Sequence, residues 1–315
     1  DVEARIIRSQ TPTCRPNWRP SRETPLYIPA VRMPVERMTS SVSTSCYRHP
    51  SRRRIVGVSL KMYFDYARTQ TYARGLLQCA NMHPNFPIAD HQGTQALDIF
   101  VLPDFVSLQS VQEILSRSTT HWWIGAQNVC EYERGAYTGE VAASTLAQAG
   151  CRLVELGHAE RRHLFNETDE IVALKAVQCV RYGLIPLVCV GERTCTSDTL
   201  LAVDECWHQV APVLVNVPHD APICLAYEPV WAIGKEEPAT PEHIRAVTQA
   251  LRSRCLAEFP ERHDVSLRII YGGSAKLGLY SKISDAVDGL FLGRYGHDPA
   301  TFIDTVWEVY KADNI

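Results

Sequence analysis

The chain reads as an α/β protein: a single closed (β/α)8 barrel with an irregular N-terminal extension. Three observations predict this. Apolar strand-like runs recur eight times from Ile55 onward, and helix-like stretches lie between them. Most of those runs are apolar on both faces, as buried parallel strands are. The residues able to do chemistry gather at the C-terminal ends of the runs, the end on which closed parallel barrels carry their sites.

The expected strands are residues 55–60, 96–102, 122–128, 152–156, 185–190, 222–227, 267–271 and 289–292. The expected helices include residues 140–149, 169–181, 199–215, 241–258 and 299–310. Two of these carry a start signal. Thr240-Pro241-Glu242 offers a capping hydroxyl followed by proline at the first helical position, and Asp298-Pro299 offers the same. An open doubly wound sheet is the alternative architecture. Such a sheet usually opens with a glycine-rich phosphate loop after its first strand, and Ser59-Leu60-Lys61-Met62-Tyr63-Phe64 is not one.

Composition narrows the function classes. A chain of 315 residues can bury a large core, and 45% hydrophobic with 21% charged residues is ordinary for a globular protein. A net charge of -3 argues against a general nucleic-acid binder. The eleven cysteines are odd in number and show no zinc-like spacing. They read as buried reduced thiols, with no metal. No apolar run approaches a membrane span, so no membrane partner is expected.

Residues 1–54 differ from the barrel of residues 55–315. They hold eleven Arg, no Lys and four acids, with frequent Pro, Ser and Thr and no period. Such a segment buries too little apolar surface to fold alone. Three readings stand: a disordered or loosely docked extension, translated sequence upstream of a true start (Met33 and Met38 lie inside), or an organelle transit peptide. A cytoplasmic location is expected, with organelle targeting as the alternative.

The strand ends carry the functional signal. The run before Tyr227 ends in Glu228, and a stiff Pro229-Val230-Trp231 leads into Ala232-Ile233-Gly234. This places one acid at the root of a loop with a rigid start. Lys61 stands just beyond the first strand, where a point charge can hold an anion. His158 ends the fourth strand in Leu156-Gly157-His158-Ala159-Glu160-Arg161-Arg162, just before an expected helix whose N-terminus favours neutral imidazole. Tyr271-Gly272-Gly273-Ser274 and Leu292-Gly293-Arg294 end the last two strands, where backbone N–H groups can approach a phosphate.

These blocks, taken in order with Gly125-Ala126-Gln127-Asn128, Ala136-Tyr137-Thr138-Gly139-Glu140 and Cys189-Val190-Gly191-Glu192, resemble triosephosphate isomerase from about Ile55 to the C-terminus. The resemblance implies that Glu228 is the base, His158 the neutral electrophile and Lys61 the anion-binding group. It implies phosphate contacts from Gly234, Ser274 and Gly293, and a Glu160 that orders Lys61. Gln127 and Thr138 fall at the interface of an implied homodimer, with the Thr138 loop reaching toward the partner's site. The glutamate base, neutral histidine and closing lid of this family are a standard example of such chemistry.

The departures carry as much information. Ser59 stands where the family usually has Asn, a shorter side chain beside substrate oxygen. Ala159 follows the histidine where the family has Ser. The lid closes as Gly234-Lys235-Glu236-Glu237-Pro238-Ala239, without its second glycine. Arg294 replaces the second glycine after the last strand. The base, histidine and lysine are all kept, so the expected chemistry is cofactor-free isomerisation of a small phosphorylated sugar. Dihydroxyacetone phosphate and glyceraldehyde 3-phosphate are the first expectation. A four-carbon erythrulose phosphate is the alternative, since Ser59 enlarges the pocket. A barrel that binds a phosphorylated ligand without turnover is the third.

Overall fold

A computed structural model describes residues 54–83, 86, 97–234 and 239–312. The expected extension therefore lies outside the described residues except for Arg54, as do the lid residues Lys235, Glu236, Glu237 and Pro238.

Eight strands form one closed barrel: β1 (Arg54–Ser59), β2 (Leu97–Leu102), β3 (Trp122–Ala126), β4 (Leu153–Leu156), β5 (Ile185–Val190), β6 (Ile223–Tyr227), β7 (Leu267–Tyr271) and β8 (Gly289–Leu292). Each pairs in parallel with its sequence neighbours, and β1 closes onto β8. The helices are α1 (Tyr66–Met82), α2 (Leu108–Leu115), α3 (Ala143–Gln148), α4 (Ala159–Leu164), α5 (Asp169–Arg181), α6 (Thr199–Asn216), α7 (Pro241–Glu258), α8 (Tyr280–Ile283) and α9 (Pro299–Lys311). Both start signals act as expected. Thr240 Oγ1 accepts from His243 N and Asp298 Oδ1 accepts from Thr301 N, each ahead of a proline at the first position. Caps of this kind stabilise by about 1 kcal/mol each.

Alternation along the strands divides the core. Val56, Val58, Ile99, Val101, Val188 and Leu225 face the helices. Ile55, Phe100, Leu102, Leu153, Leu187, Cys224, Ala226, Ile270 and Phe291 fill the barrel. Gly57 makes this filling possible, because a Cβ there would lie 2.1 Å from Phe100 Cζ. The N-terminal end of the barrel holds a buried Arg268–Asp98 ion pair at 2.6 Å, with Trp123 against the guanidinium. The same alternation carries Ser59, Glu155, Cys189 and Glu228 to the inner side at the opposite, C-terminal end.

Two boundaries differ from expectation by more than one residue. The third strand stops at Ala126, and beyond it the Gln127 side-chain amide meets Leu102 O. The helix expected from residue 140 begins at Ala143. Val141 O accepts from Cys130 N at 2.9 Å, which ties that stretch to a loop and denies it to the helix. Among the described residues no helix is long and apolar enough to cross a membrane.

Candidate active site

Glu228 follows β6 directly and is 4% exposed. Gly272 leaves room for it: a Cβ there would lie 2.5 Å from Glu228 Oε1. Glu228 Oε2 is buried and accepts no hydrogen bond among the described residues. Burial pushes this carboxyl up to about 8; Lys61 opposes the shift, while Glu155 and Glu160 add to it. A buried carboxylate with a free lone pair and a raised pKa is suited to taking a proton from carbon.

His158 caps α4. Its Nδ1 accepts the Glu160 backbone N–H at 3.1 Å. This bond assigns the ring proton of neutral imidazole to Nε2. Burial, and then the Lys61 ammonium, push the imidazole down to about 4. His158 is therefore neutral at physiological pH and presents an N–H. Its Nε2 lies 3.2 Å from Lys61 Nζ and 3.3 Å from Glu228 Oε2. Two donors this close repel each other unless an oxygen sits against both, so they converge on one point where negative charge is favoured.

Lys61 is held at its backbone carbonyl and at its ammonium. Its backbone is left-handed, φ 50°, a conformation that costs a non-glycine residue on the order of 1–3 kcal/mol. Gln127 Nε2 donates to Lys61 O at 3.2 Å and to Leu102 O at 3.0 Å. Lys61 Nζ donates to Glu160 Oε1 at 2.7 Å. Burial works against the ammonium, but Glu228, Glu160 and Glu155 outweigh it and hold its pKa above the usual lysine value.

A cavity of about 590 Å³ opens onto this group. Ser59, Lys61, His158, Glu160 and Glu228 line one part. Gly234, Gly273, Ser274, Gly293 and Arg294 line the other. Gly234 has φ 72°, and Ser274 Oγ donates to Ala232 O at 3.0 Å, tying the last strands to the lid root. Among the described residues, its chain neighbours aside, nothing lies within 4 Å of where a Gly293 Cβ would stand. The cavity thus has an acid–imidazole–ammonium end and a glycine-rich end. That is the layout for a small molecule with a phosphate at one end and a reacting carbon at the other.

A family model described as triosephosphate isomerase matches residues 54–309. The chain belongs to the triosephosphate isomerase family. L-erythrulose-1-phosphate isomerase of Pectobacterium atrosepticum is 44% identical over 255 residues, covering 80% of this chain and 94% of the relative. The enzyme of the same name from Rhizobium meliloti is 35% identical over 264 residues, 82% of this chain and 97% of its own. Triosephosphate isomerase of Leifsonia xyli is 40% identical over 209 residues, 66% of this chain and 81% of the relative. The chain is an isomerase of this family.

Within this triosephosphate isomerase family member, the structure gathers Glu228, His158, Lys61, Glu160, Ser59, Gly234, Ser274, Gly293 and Arg294 around one cavity. Gln127 stands apart from that list, since its amide nitrogen bonds inside the chain. Thr138 lies exposed in the loop before Glu140. The sequence reading gave no role to two buried acids. Glu192 is 1% exposed and takes Trp231 Nε1 at 2.7 Å, with Tyr227 Oη and His243 Nε2 also on its carboxylate, so it anchors the lid root. Glu155 is 4% exposed and accepts from Ser59 Oγ at 3.0 Å. A signal for it was present: one acid in the otherwise apolar Leu153-Val154-Glu155-Leu156.

Proposed function

We propose that this protein isomerises a four-carbon ketose phosphate, erythrulose 1-phosphate, through an enediol. The observation that carries the chemistry is the free lone pair of Glu228 Oε2 facing the convergent donors His158 Nε2 and Lys61 Nζ. The C2 carbonyl oxygen lies against His158 and Lys61. Glu228 takes the proton from C3, and the electron pair moves into a C2–C3 double bond. Charge builds on the C2 oxygen, where the two donors stabilise it. His158 passes a proton between the two oxygens, Glu228 returns its proton to C2, and the carbonyl comes to rest on C3. No atom is gained or lost and no electron leaves the substrate. The phosphate is held by Gly234, Ser274 and Gly293, with Arg294 adding charge at the rim.

The four-carbon substrate is supported by the 44% relative, which the chain matches over 94% of its length, and by Ser59, which is shorter than the family's Asn. A triose phosphate is the second reading, favoured by the same base, imidazole and ammonium and by the 40% relative. Assembly as a homodimer, with the Thr138 loop reaching the partner's site, belongs to this reading, as does a cytoplasmic location. Steady-state kinetics on erythrulose 1-phosphate and glyceraldehyde 3-phosphate, side by side, test it. A kcat/KM at least tenfold higher on the four-carbon substrate is expected. A triose value on the order of 10⁷ M⁻¹s⁻¹, with a slow tetrulose rate, reverses the assignment.

A further inference from the structure

The proposed proton transfer makes no use of Glu155. Its carboxylate lies inside the barrel, 4% exposed, and its hydrogen-bond partners among the described residues are the Ser59 hydroxyl at 3.0 Å and the Cys189 thiol at 4.0 Å. The same thiol lies 3.8 Å from Glu228 Oε1. Ser59, Glu155, Cys189 and Glu228 therefore form a polar chain whose two ends, Ser59 and Glu228, line the cavity. Burying a carboxylate with no cation in contact is unfavourable, and an aliphatic side chain would pack there without that cost. Buried acids retained beside a cavity are candidates for function.

Ser59 lines the substrate cavity, whereas Glu155 lies behind it. A serine hydroxyl has one proton and two lone pairs. With Glu155 ionised, as it is above pH 7, and the Ser59 proton directed to its Oε2, Ser59 turns lone pairs toward the cavity. It then accepts a hydrogen bond and does not donate one. A phosphate or an enediolate oxygen brings no donor to such a group. A substrate hydroxyl does. With the phosphate at the glycine-rich end and the reacting carbons under His158 and Lys61, the group beyond the reacting carbon is the one left to meet Ser59.

We propose that Ser59 and Glu155 form the subsite for the terminal CH2OH that separates a four-carbon from a three-carbon substrate: Ser59 accepts that hydroxyl's proton in a hydrogen bond, and Glu155 is the positioning residue that fixes the polarity of Ser59. This rests on the four-carbon reading above. It deepens that reading by naming the residues that recognise the extra carbon. A site built around a hydroxyl rejects the analogue that lacks it far more strongly than a merely roomy pocket does.

The test uses the full chain and two substrates: erythrulose 1-phosphate, and its analogue in which the terminal CH2OH is CH3. Wild type should prefer the hydroxyl substrate in kcat/KM by roughly tenfold to hundredfold, the scale of one hydrogen bond in a charge-polarised pair. Ser59→Ala should bring the ratio close to one and Glu155→Gln should lower it, in both cases mostly through the KM of the hydroxyl substrate. The ratio cancels any change in the base, and a merely structural role lowers both substrates alike. Ser59→Ala keeps the test decisive should Glu155→Gln fail to fold. An unchanged ratio in both variants overturns the subsite while leaving the four-carbon reading intact. A wild type that turns over glyceraldehyde 3-phosphate and no erythrulose 1-phosphate overturns the reading and the subsite together.

Discussion

Glu228 Oε2 lies 3.3 Å from His158 Nε2 and yet forms no hydrogen bond with it. The base is thus close to the electrophile without being tied to it. A hydrogen bond from His158 would occupy the lone pair that takes the substrate proton. It would also draw the imidazole N–H away from the carbonyl oxygen. The backbone contact from Glu160 to Nδ1 settles the ring without involving Nε2.

Replacement of the base separates chemistry from binding. Glu228→Gln keeps the shape and removes the proton acceptor. We expect turnover to fall by a factor of at least about 10³, consistent with the usual scale for a positioned base. Binding of inorganic phosphate or an unreactive phosphorylated analogue should stay within a few-fold, measured by calorimetry. Turnover equal to wild type would support a barrel in which Glu228 does no chemistry.

The pH profile follows from the two shifts. Glu228 acts only when ionised, and its carboxyl is pushed up to about 8. The acid limb of kcat/KM should therefore lie well above the ordinary carboxylate range. It is separable from the phosphate's own ionisation near pH 6 by the use of a phosphonate substrate analogue. His158, at about 4, contributes no limb between pH 5 and 9. Glu155 is one of the groups raising Glu228, so Glu155→Gln should move the limb to lower pH. A limb that stays in place, or moves up, contradicts this electrostatic picture.

Gln127 offers a test of how Lys61 is held. The left-handed backbone of Lys61 persists because its carbonyl is bound from outside. Gln127→Leu removes both amide bonds at similar volume. We expect kcat/KM to fall by about tenfold, the scale of one or two lost buried hydrogen bonds. The oligomeric mass, read by light scattering, should not change. A fall in mass with the kinetic constants preserved per site would place the residue at an interface between copies instead.

Much of this site was legible in the sequence because strand ends announce themselves. Glu228, Lys61 and His158 each follow an apolar run, and the barrel topology brings such positions to one face. What stayed hidden depends on side-chain direction across the barrel. Ser59 and Glu155 are 96 positions apart, and only the inward phase of β1 and β4 brings them together. Glu192 and Trp231 sit in blocks that were recognised, but their 2.7 Å bond is a contact between two loops that no local pattern encodes. The start of α3 at Ala143 was likewise set by a distant backbone partner, Cys130.

The same buried acids give the fold a pH dependence opposite to that of an ordinary salt-bridged carboxylate. Glu228 and Glu155 are pushed up to about 8 and about 7, burial being the first cause in both, against an ordinary glutamate value of 4.5. Between 4.5 and those values the folded chain binds more protons than the unfolded chain. Stability from these groups is thus fully present below 4.5 and is lost as pH rises through 7 to 8. Glu228→Gln and Glu155→Gln cannot ionise, so they escape the loss. The shift in Tm of each variant relative to wild type should be more positive at pH 9 than at pH 5, by several degrees. Differential scanning calorimetry at the two pH values reads it, and comparison with wild type cancels the titration of the groups that do not interact with the replaced carboxyl. Equal shifts at both pH values would mean that neither carboxylate is held in the neutral form by the fold. The preorganised base would then carry no stability cost, and the raised acid limb in kcat/KM should vanish with it.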